Sequence, residues 1–336
     1  MPTITFENRR LVLREQESVL DGLLRHGVPI RSSCRNGVCQ SCMMRAVDQT
    51  PPAAAQKGLR GSLKARNHFL ACQCRPTADM EVALPGHDDL PWVAVKVIGK
   101  QKLSERVIQL TLQCPESFAF QAGQFINVLH DDSVRSYSIA NAPNAQHTLE
   151  LHIYRIDNGR ISNWVHDELA IGDTLNIQGP FGDCVYNSGD PQEPLLLVGT
   201  GCGLAALRGV IHTALQHGHT APIHLYHGSR SLDGVYLTNE MQALQARYPQ
   251  FSYTPCLSGG EVPGGFTAGR AADAALAQHP KLRDWRIYLC GNTNMVKTTK
   301  RKAFLAGAAL DHIHADPFEF SHKAAPAAQA KANPVL

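Results

Sequence analysis

Cys34, Cys39 and Cys42 follow the spacing C-x4-C-x2-C, and Cys72 completes the set after twenty-nine intervening residues. This is the ligand spacing of a [2Fe–2S] cluster. Delivering four thiolates to a pair of irons requires a tight loop on a rigid support. The quartet therefore constrains the start of the chain more than any other feature. The far arm reads Cys72-Gln73-Cys74, whereas a zinc site would set two C-x2-C or C-x4-C arms against each other. A zinc-binding interaction module is the alternative. Met1–Arg10 (MPTITFENRR) does not resemble a signal peptide, which argues against disulfides and for a cytoplasmic chain.

The segment Ser32-Ser33-Cys34-Arg35-Asn36-Gly37-Val38-Cys39-Gln40-Ser41-Cys42 places small or polar residues between the ligands. Backbone N–H groups of such a loop can point at the sulfurs and stabilise a reduced cluster. Gly37 supplies a position where positive φ carries no penalty. Upstream, Ser18 is a candidate cap for a short helix with Val19, Leu20, Leu23 and Leu24 on its apolar face, ended by Gly27. Strand-like stretches at Thr3–Phe6, Arg10–Leu13 and Met43–Val47 complete a β-grasp pattern. Residues 1–85 resemble the ferredoxin domain of the plant-type family, down to the closing motif Leu70-Ala71-Cys72-Gln73-Cys74-Arg75-Pro76. In that family the ligand stands four residues before the Pro, which selects Cys72 over Cys74. Gln40 departs from the pattern, because many relatives have Gly after the second ligand.

A chain of 336 residues has room for two to three domains. Its 43% hydrophobic and 18% charged content is ordinary for a globular protein. The most apolar stretch, Pro194–Ile211, is glycine-rich and carries Arg208, so no membrane span is expected. A formal charge of +3 points to no nucleic-acid partner. Within residues 1–85, twelve Lys/Arg face seven Asp/Glu; this suits steering toward an acidic docking surface, or simply a solvated face. Breaks at Pro85–Pro91 and Asn187–Pro194 divide the chain into the ferredoxin-like segment 1–85, a middle segment 92–188 and a third segment 192–320. The tail 323–336, rich in Ala, Pro, Gln and Lys, is expected to be disordered.

The middle segment is mostly β, with strand-like runs at Val93–Ile98, Val107–Leu112, Phe125–Val128, Tyr137–Ile139, Leu149–Tyr154 and Thr174–Gln178. One helix is expected from Ser162 to Leu169, and the whole suits a six-stranded antiparallel barrel. Arg135 offers forked donors for a phosphate, Tyr137 an aromatic face and Ser138 a hydroxyl. Gly159 and Ser162 open the helix, whose free N–H groups form a natural pyrophosphate cradle. In this order the residues resemble the ferredoxin–NADP reductase superfamily, whose R-x-Y-[ST] and G-x-x-S flavin motifs match Arg135, Tyr137, Ser138, Gly159 and Ser162. Gly179-Pro180-Phe181-Gly182 matches the turn that closes the barrel in that superfamily. The resemblance implies FAD rather than FMN.

The third segment alternates strand and helix, the pattern of a parallel sheet. Leu195–Val198 runs into Gly199-Thr200-Gly201-Cys202-Gly203, and a helix follows over Leu204–Gln216. Such a turn lets a pyrophosphate approach the backbone at a helix N-terminus. The superfamily string G-T-G-x-x-P is not fully met, since Gly203 is extra and Ala205 stands near the Pro position. After the strand Ile223–His227 comes Arg230, a candidate for the adenosine half of the dinucleotide, with Asp233 nearby to repel a 2′-phosphate. That charge favours NADH. Cys290 and Gly291 resemble the C-G-x-x-x-M motif whose Cys lies beside the nicotinamide, with Asn292 where Pro is common. Phe318 resembles the aromatic near the flavin in the closing segment.

Valence joins the modules. NADH gives two electrons as hydride, a [2Fe–2S] cluster takes one, and a flavin tolerates both steps. Ser138 and Cys290 are the candidates for orienting the rings. None of the sixteen histidines falls in a C-x2-C…H-x3-H or H-E-x-x-H pattern. Residues 1–320 together resemble the NADH-dependent reductase components of multicomponent bacterial oxygenases, which implies an oxidoreductase with an oxygenase or hydroxylase as electron acceptor. A reductase for sugar deoxygenation shares the same modules, and a redox carrier or sensor with a degenerate NAD site is the remaining alternative.

Overall fold

A computed structural model describes residues 1–86, 91–186 and 191–318, in which three sheets follow one another along the chain. The first unit runs β1 (Thr3–Phe6), β2 (Arg9–Val12), α1 (Val19–Arg25), β3 (Met43–Ala46), α2 (Gly61–Ala65), β4 (His68–Leu70) and β5 (Met80–Ala83). Its sheet order is β2-β1-β5-β3-β4, with β1 antiparallel to β2 and parallel to β5. Ser18 caps α1 by accepting the Asp21 amide, and Val19, Leu20 and Leu23 bury against Ile4, Leu13, Phe69 and Met80. The sequence pattern missed β4 and β5. β4 has only three residues and is wholly buried, so it shows no alternation.

The second unit runs β6 (Val93–Lys102), β7 (Val107–Gln113), β8 (Phe125–His130), β9 (Ser133–Ser138), β10 (Thr148–Tyr154), α3 (Arg160–Asp167) and β11 (Thr174–Phe181). The order is β10-β7-β6-β11-β8-β9, and every pairing is antiparallel. A bridge between Ile139 and Leu151 joins the two edges and closes the barrel, which removes both free edges. The strand carrying the Tyr137 motif starts at Ser133, earlier than its side chains suggested, because β8 supplies a continuous antiparallel partner. α3 also starts earlier than expected, at Arg160 with Gly159 as its cap residue, and ends at Asp167 instead of Leu169.

The third unit runs β12 (Leu195–Thr200), α4 (Leu204–Gln216), β13 (Ile223–Ser229), α5 (Thr238–Arg247), β14 (Phe251–Leu257), β15 (Thr267–Ala268), α6 (Ala271–Gln278), β16 (Arg286–Asn292), α7 (Thr293–Leu305) and β17 (Ile313–Phe318). Its sheet, β15-β14-β13-β12-β16-β17, is parallel throughout. The strand order reverses at β12, so the Gly199–Gly203 turn stands at the topological switch point where α/β sheets bind ligands. Val107 and Cys184 share a core with Leu204, Leu207 and Tyr236, which ties the barrel to this sheet.

The expected breaks fall partly on residues 87–90 and 187–190, and the tail 323–336 lies outside the described residues. Among the described residues no helix is long and apolar enough to cross a membrane.

Candidate electron-transfer site

One cavity of about 1380 Å³ touches all three units. Cys34 and Cys39 line it from the first unit, Arg135, Tyr137, Ser138, Gly159 and Ser162 from the barrel, and Gly201, Arg230 and Phe318 from the parallel sheet. The volume exceeds the ~300–1,000 Å³ of ordinary small-molecule pockets, as a site for two extended dinucleotides must.

The four expected metal ligands fall into two pairs. The Cys34 and Cys39 amides each approach the other's sulfur, at 3.4 and 3.3 Å, and the Asn36 amide reaches Cys34 Sγ at 3.4 Å. Cys42 and Cys72 form the second pair through their side chains. Among the described residues no three His, Cys, Asp or Glu side chains converge on a single ion. Two pairs are the arrangement that two irons with two thiolates each require, so the donor set fits a [2Fe–2S] cluster. The neighbouring Cys34 thiol and the Ser41 hydroxyl draw the Cys39 thiol down against its burial. Cys74 stands apart in the apolar core, where burial pushes its thiol up to about 12.

Gln40 takes φ 58, a left-handed value that favours glycine. Its side chain compensates by donating from Nε2 to the Gly58 carbonyl at 3.1 Å. The glutamine at this position thus holds a backbone shape that glycine would adopt without strain.

In the barrel, a Cβ on Gly159 would meet Ser162 Oγ at 2.4 Å. Ser162 Oγ accepts the Ile156 amide at 3.2 Å instead of capping its own helix. No side chain caps α3, so its first amides remain available toward the cavity. Arg135 and Arg160 bring positive charge to the same wall. These groups fit a flavin pyrophosphate.

Ser138 donates from Oγ to Asp316 Oδ2 at 2.8 Å. The hydroxyl's one proton is committed, so it turns only lone pairs to the cavity. Burial raises the Asp316 carboxyl to about 6, against the lowering pull of Ser138. Sequence reasoning passed over Asp316 because its partner lies 178 residues away.

Cys290, a candidate for orienting the rings, lies behind the cavity wall. Its side chain is fully buried, 3.6 Å from Cys184 Sγ, and it is absent from the cavity lining. Burial and the Cys184 thiol push its own thiol well up. It pairs in register with Asp316 across β16 and β17, so it supports the cavity floor beneath the Ser138–Asp316 pair. Gly199, Gly203 and Gly291 also lie off the lining and act through close packing. A Cβ on Gly203 would fall 2.2 Å from the Cys290 carbonyl oxygen, and one on Gly291 would fall 2.5 Å from Thr200 Oγ1. The extra glycine in the turn therefore answers to β16. Asn292, standing where Pro is common, caps α7 by accepting the Asn294 and Met295 amides.

His152 adds an orphan. It is nearly buried, it lines the cavity, and its Nδ1 lies 3.0 Å from the Tyr236 hydroxyl. Its Nε2 has no partner among the described residues. Burial lowers its pKa to about 3, so the ring is neutral at ordinary pH.

Residues 4–77 match the 2Fe-2S iron-sulfur cluster binding domain, residues 94–186 the oxidoreductase FAD-binding domain and residues 197–301 the oxidoreductase NAD-binding domain. The ferredoxin–NAD(P)+ reductase component of the naphthalene 1,2-dioxygenase/salicylate 5-hydroxylase systems of Ralstonia sp is 31% identical over 93% of this chain and 96% of its own length. The chain belongs to the ferredoxin–NAD(P)+ reductase components of oxygenase systems. The reductase subunit of an aromatic O-demethylase from Amycolatopsis is 31% identical over 94% of this chain and 98% of its own length. A crystal structure of a cytochrome P450 reductase from Amycolatopsis superposes with a TM-score of 0.69 at 28% identity, covering 95% of this chain and 99% of its own. This reductase is thus an oxidoreductase with domains for a [2Fe–2S] cluster, FAD and NAD, in that order.

Proposed function

We propose that this reductase draws electron pairs from NADH and delivers them singly to the oxygenase or hydroxylase component of an aromatic-compound oxygenase system. The shared cavity carries the reading: Cys39, Tyr137 and Gly201 line one space, so donor, flavin and cluster sites adjoin. A flavin accepts hydride and releases electrons one at a time, and a [2Fe–2S] cluster carries them singly.

The chain's own residues divide the work. The amides of α3, with Gly159, Ser162 and Arg135, would hold the pyrophosphate of a bound flavin, and Tyr137, Ser138, Asp316 and Phe318 would hold its ring system. Thr293 Oγ1 anchors the end of β17 by donating to the Phe318 carbonyl at 2.9 Å. Gly201 and the uncapped start of α4 receive the pyrophosphate of the nicotinamide coenzyme. Arg230 grips the adenosine ribose, and Asp233 excludes a 2′-phosphate. Cys34, Cys39, Cys42 and Cys72 hold the cluster, and the three functional domains are 1–85, 92–188 and 192–320.

Steady-state reduction of cytochrome c and of ferricyanide, each with NADH and NADPH, tests the reading. NADH is expected to support both reactions and NADPH neither efficiently. Cys72→Ser should abolish cytochrome c reduction yet keep most ferricyanide reduction. Equal loss of both, or loss of neither, overturns the assignment of Cys72.

A further inference from the structure

Asn127 sits in the middle of β8, facing the ferredoxin unit, and is fully buried. Its Nδ2 donates to the Cys39 carbonyl at 3.1 Å, across 88 residues of sequence. Its Oδ1 accepts from Ser136 Oγ at 2.7 Å. A backbone carbonyl can only accept, so the amide orientation is fixed by chemistry. Ser136 immediately precedes Tyr137, and Cys39 is an expected cluster ligand lining the same cavity. One buried carboxamide therefore spans from the flavin wall to the cluster loop.

The point it grips is the peptide before Gln40, a residue held at a left-handed φ of 58. Gln40 holds one side of that peptide through Gly58, and Asn127 holds the other from the barrel. Two further contacts between these units lie at the periphery: Arg60 Nη2 donates to the Pro180 carbonyl at 2.6 Å, and Arg31 stacks over Trp92 at 5.5 Å, with both arginines exposed.

We propose that Asn127 is a positioning residue that fixes the Cys39 side of the cluster loop against the flavin barrel and so sets the rate of electron passage between them. This rests on the reductase reading above. One NADH reduces two one-electron acceptors, giving NAD+ and one proton, and both electrons cross this contact. Electron transfer falls steeply with separation and disorder between the partners, so a loosened loop slows it without touching hydride transfer.

The test is anaerobic stopped-flow on the cofactor-loaded protein. Asn127→Asp keeps the side-chain volume and the acceptor to Ser136 but loses the donor to Cys39. Asn127→Ser removes the reach without adding charge. With iron and flavin contents at parent level, both variants should bleach flavin with NADH at the parent rate and reduce ferricyanide normally. Cluster reduction after bleaching, and cytochrome c turnover, should fall at least tenfold. In the uncharged Asn127→Ser variant the cluster midpoint potential should stay unchanged, and in both variants amides 39–41 should exchange hydrogen faster. A parent-like internal rate in either loaded variant overturns the proposal, and so does a potential shift in the Asn127→Ser variant large enough to explain its loss. If neither variant loads its cofactors, unprotected exchange at 39–41 still supports the contact, and parent-like exchange sinks it. Failure of the parent protein to bleach with NADH sinks the reductase reading instead.

Discussion

Asp316 is the residue whose chemistry is most clearly set by its surroundings. Folding raises its pKa from an ordinary 3.8 to about 6, chiefly through burial. A group raised in this way favours the folded state while protonated. Its contribution is complete below about pH 4 and is lost as pH rises through about 6. Above that the ionised carboxylate is a burden of at most about 3 kcal/mol. Asp316→Asn should therefore raise the unfolding temperature of the loaded protein at pH 8, and the gain should shrink sharply by pH 5. A gain equal at both pH values would mean that the carboxyl does not titrate there. The flavin motif and the cysteine quartet were legible because their members stand within a few residues of one another or at a fixed spacing. Asp316 and Asn127 were not, because their partners Ser138 and Cys39 are neighbours only after folding. The motif of Cys290 was local too, but the groups that enclose its thiol, Cys184 and β17, become its neighbours only after folding.

The turn between β12 and α4 shows two glycines answering to different physics. Gly201 takes φ +52 with open space where a Cβ would lie, so a side chain there meets only the backbone penalty of about 1–2 kcal/mol. Gly203 is ordinary right-handed backbone at φ −58, but its Cβ would collide with the Cys290 carbonyl. Overpacking of that kind costs about 1–3 kcal/mol and moves the turn against β16. Gly203→Ala should slow NADH-dependent flavin bleaching by on the order of a hundredfold, the consequence of misplacing a reactant by ~1 Å. Gly201→Ala should cost only a few-fold, and stopped-flow bleaching ranks the two. The reverse ranking would show that backbone conformation, not space, governs the turn. The alternation of strand and helix was readable here from apolar runs, and α4 begins and ends as the pattern indicates. The collision was not readable, because nothing near Gly203 in sequence names β16 as its neighbour.

Across the whole molecule the three units are joined unequally. Every residue of the ferredoxin core lies between Ile4 and Val82, so that core closes without help. The barrel and the parallel sheet share one: Val107 and Cys184 pack with Leu204, Leu207 and Tyr236. Arg208 stitches them further, donating to the Ala140 carbonyl at 3.0 Å, to Glu150 at 2.9 Å and to Glu240 at 2.6 Å. Removing Arg208 would leave Glu150 and Glu240 part-buried without their cation, a loss toward or below the low end of the ~3–5 kcal/mol that breaking a fully buried pair costs. Separability should follow these joints. A chain beginning at Pro91 is expected to fold, bind flavin and reduce ferricyanide with NADH at near the parent rate, while losing cytochrome c reduction. A chain ending at Tyr186 would expose Val107 and the inner side of the shared core, and is expected to aggregate or bind flavin weakly. Flavin content and light scattering of the two fragments decide the matter. A well-behaved barrel fragment beside a failed Pro91 fragment would reverse the order of coupling, and would make the ferredoxin unit part of the scaffold that holds the flavin instead of a module attached to it at Cys39.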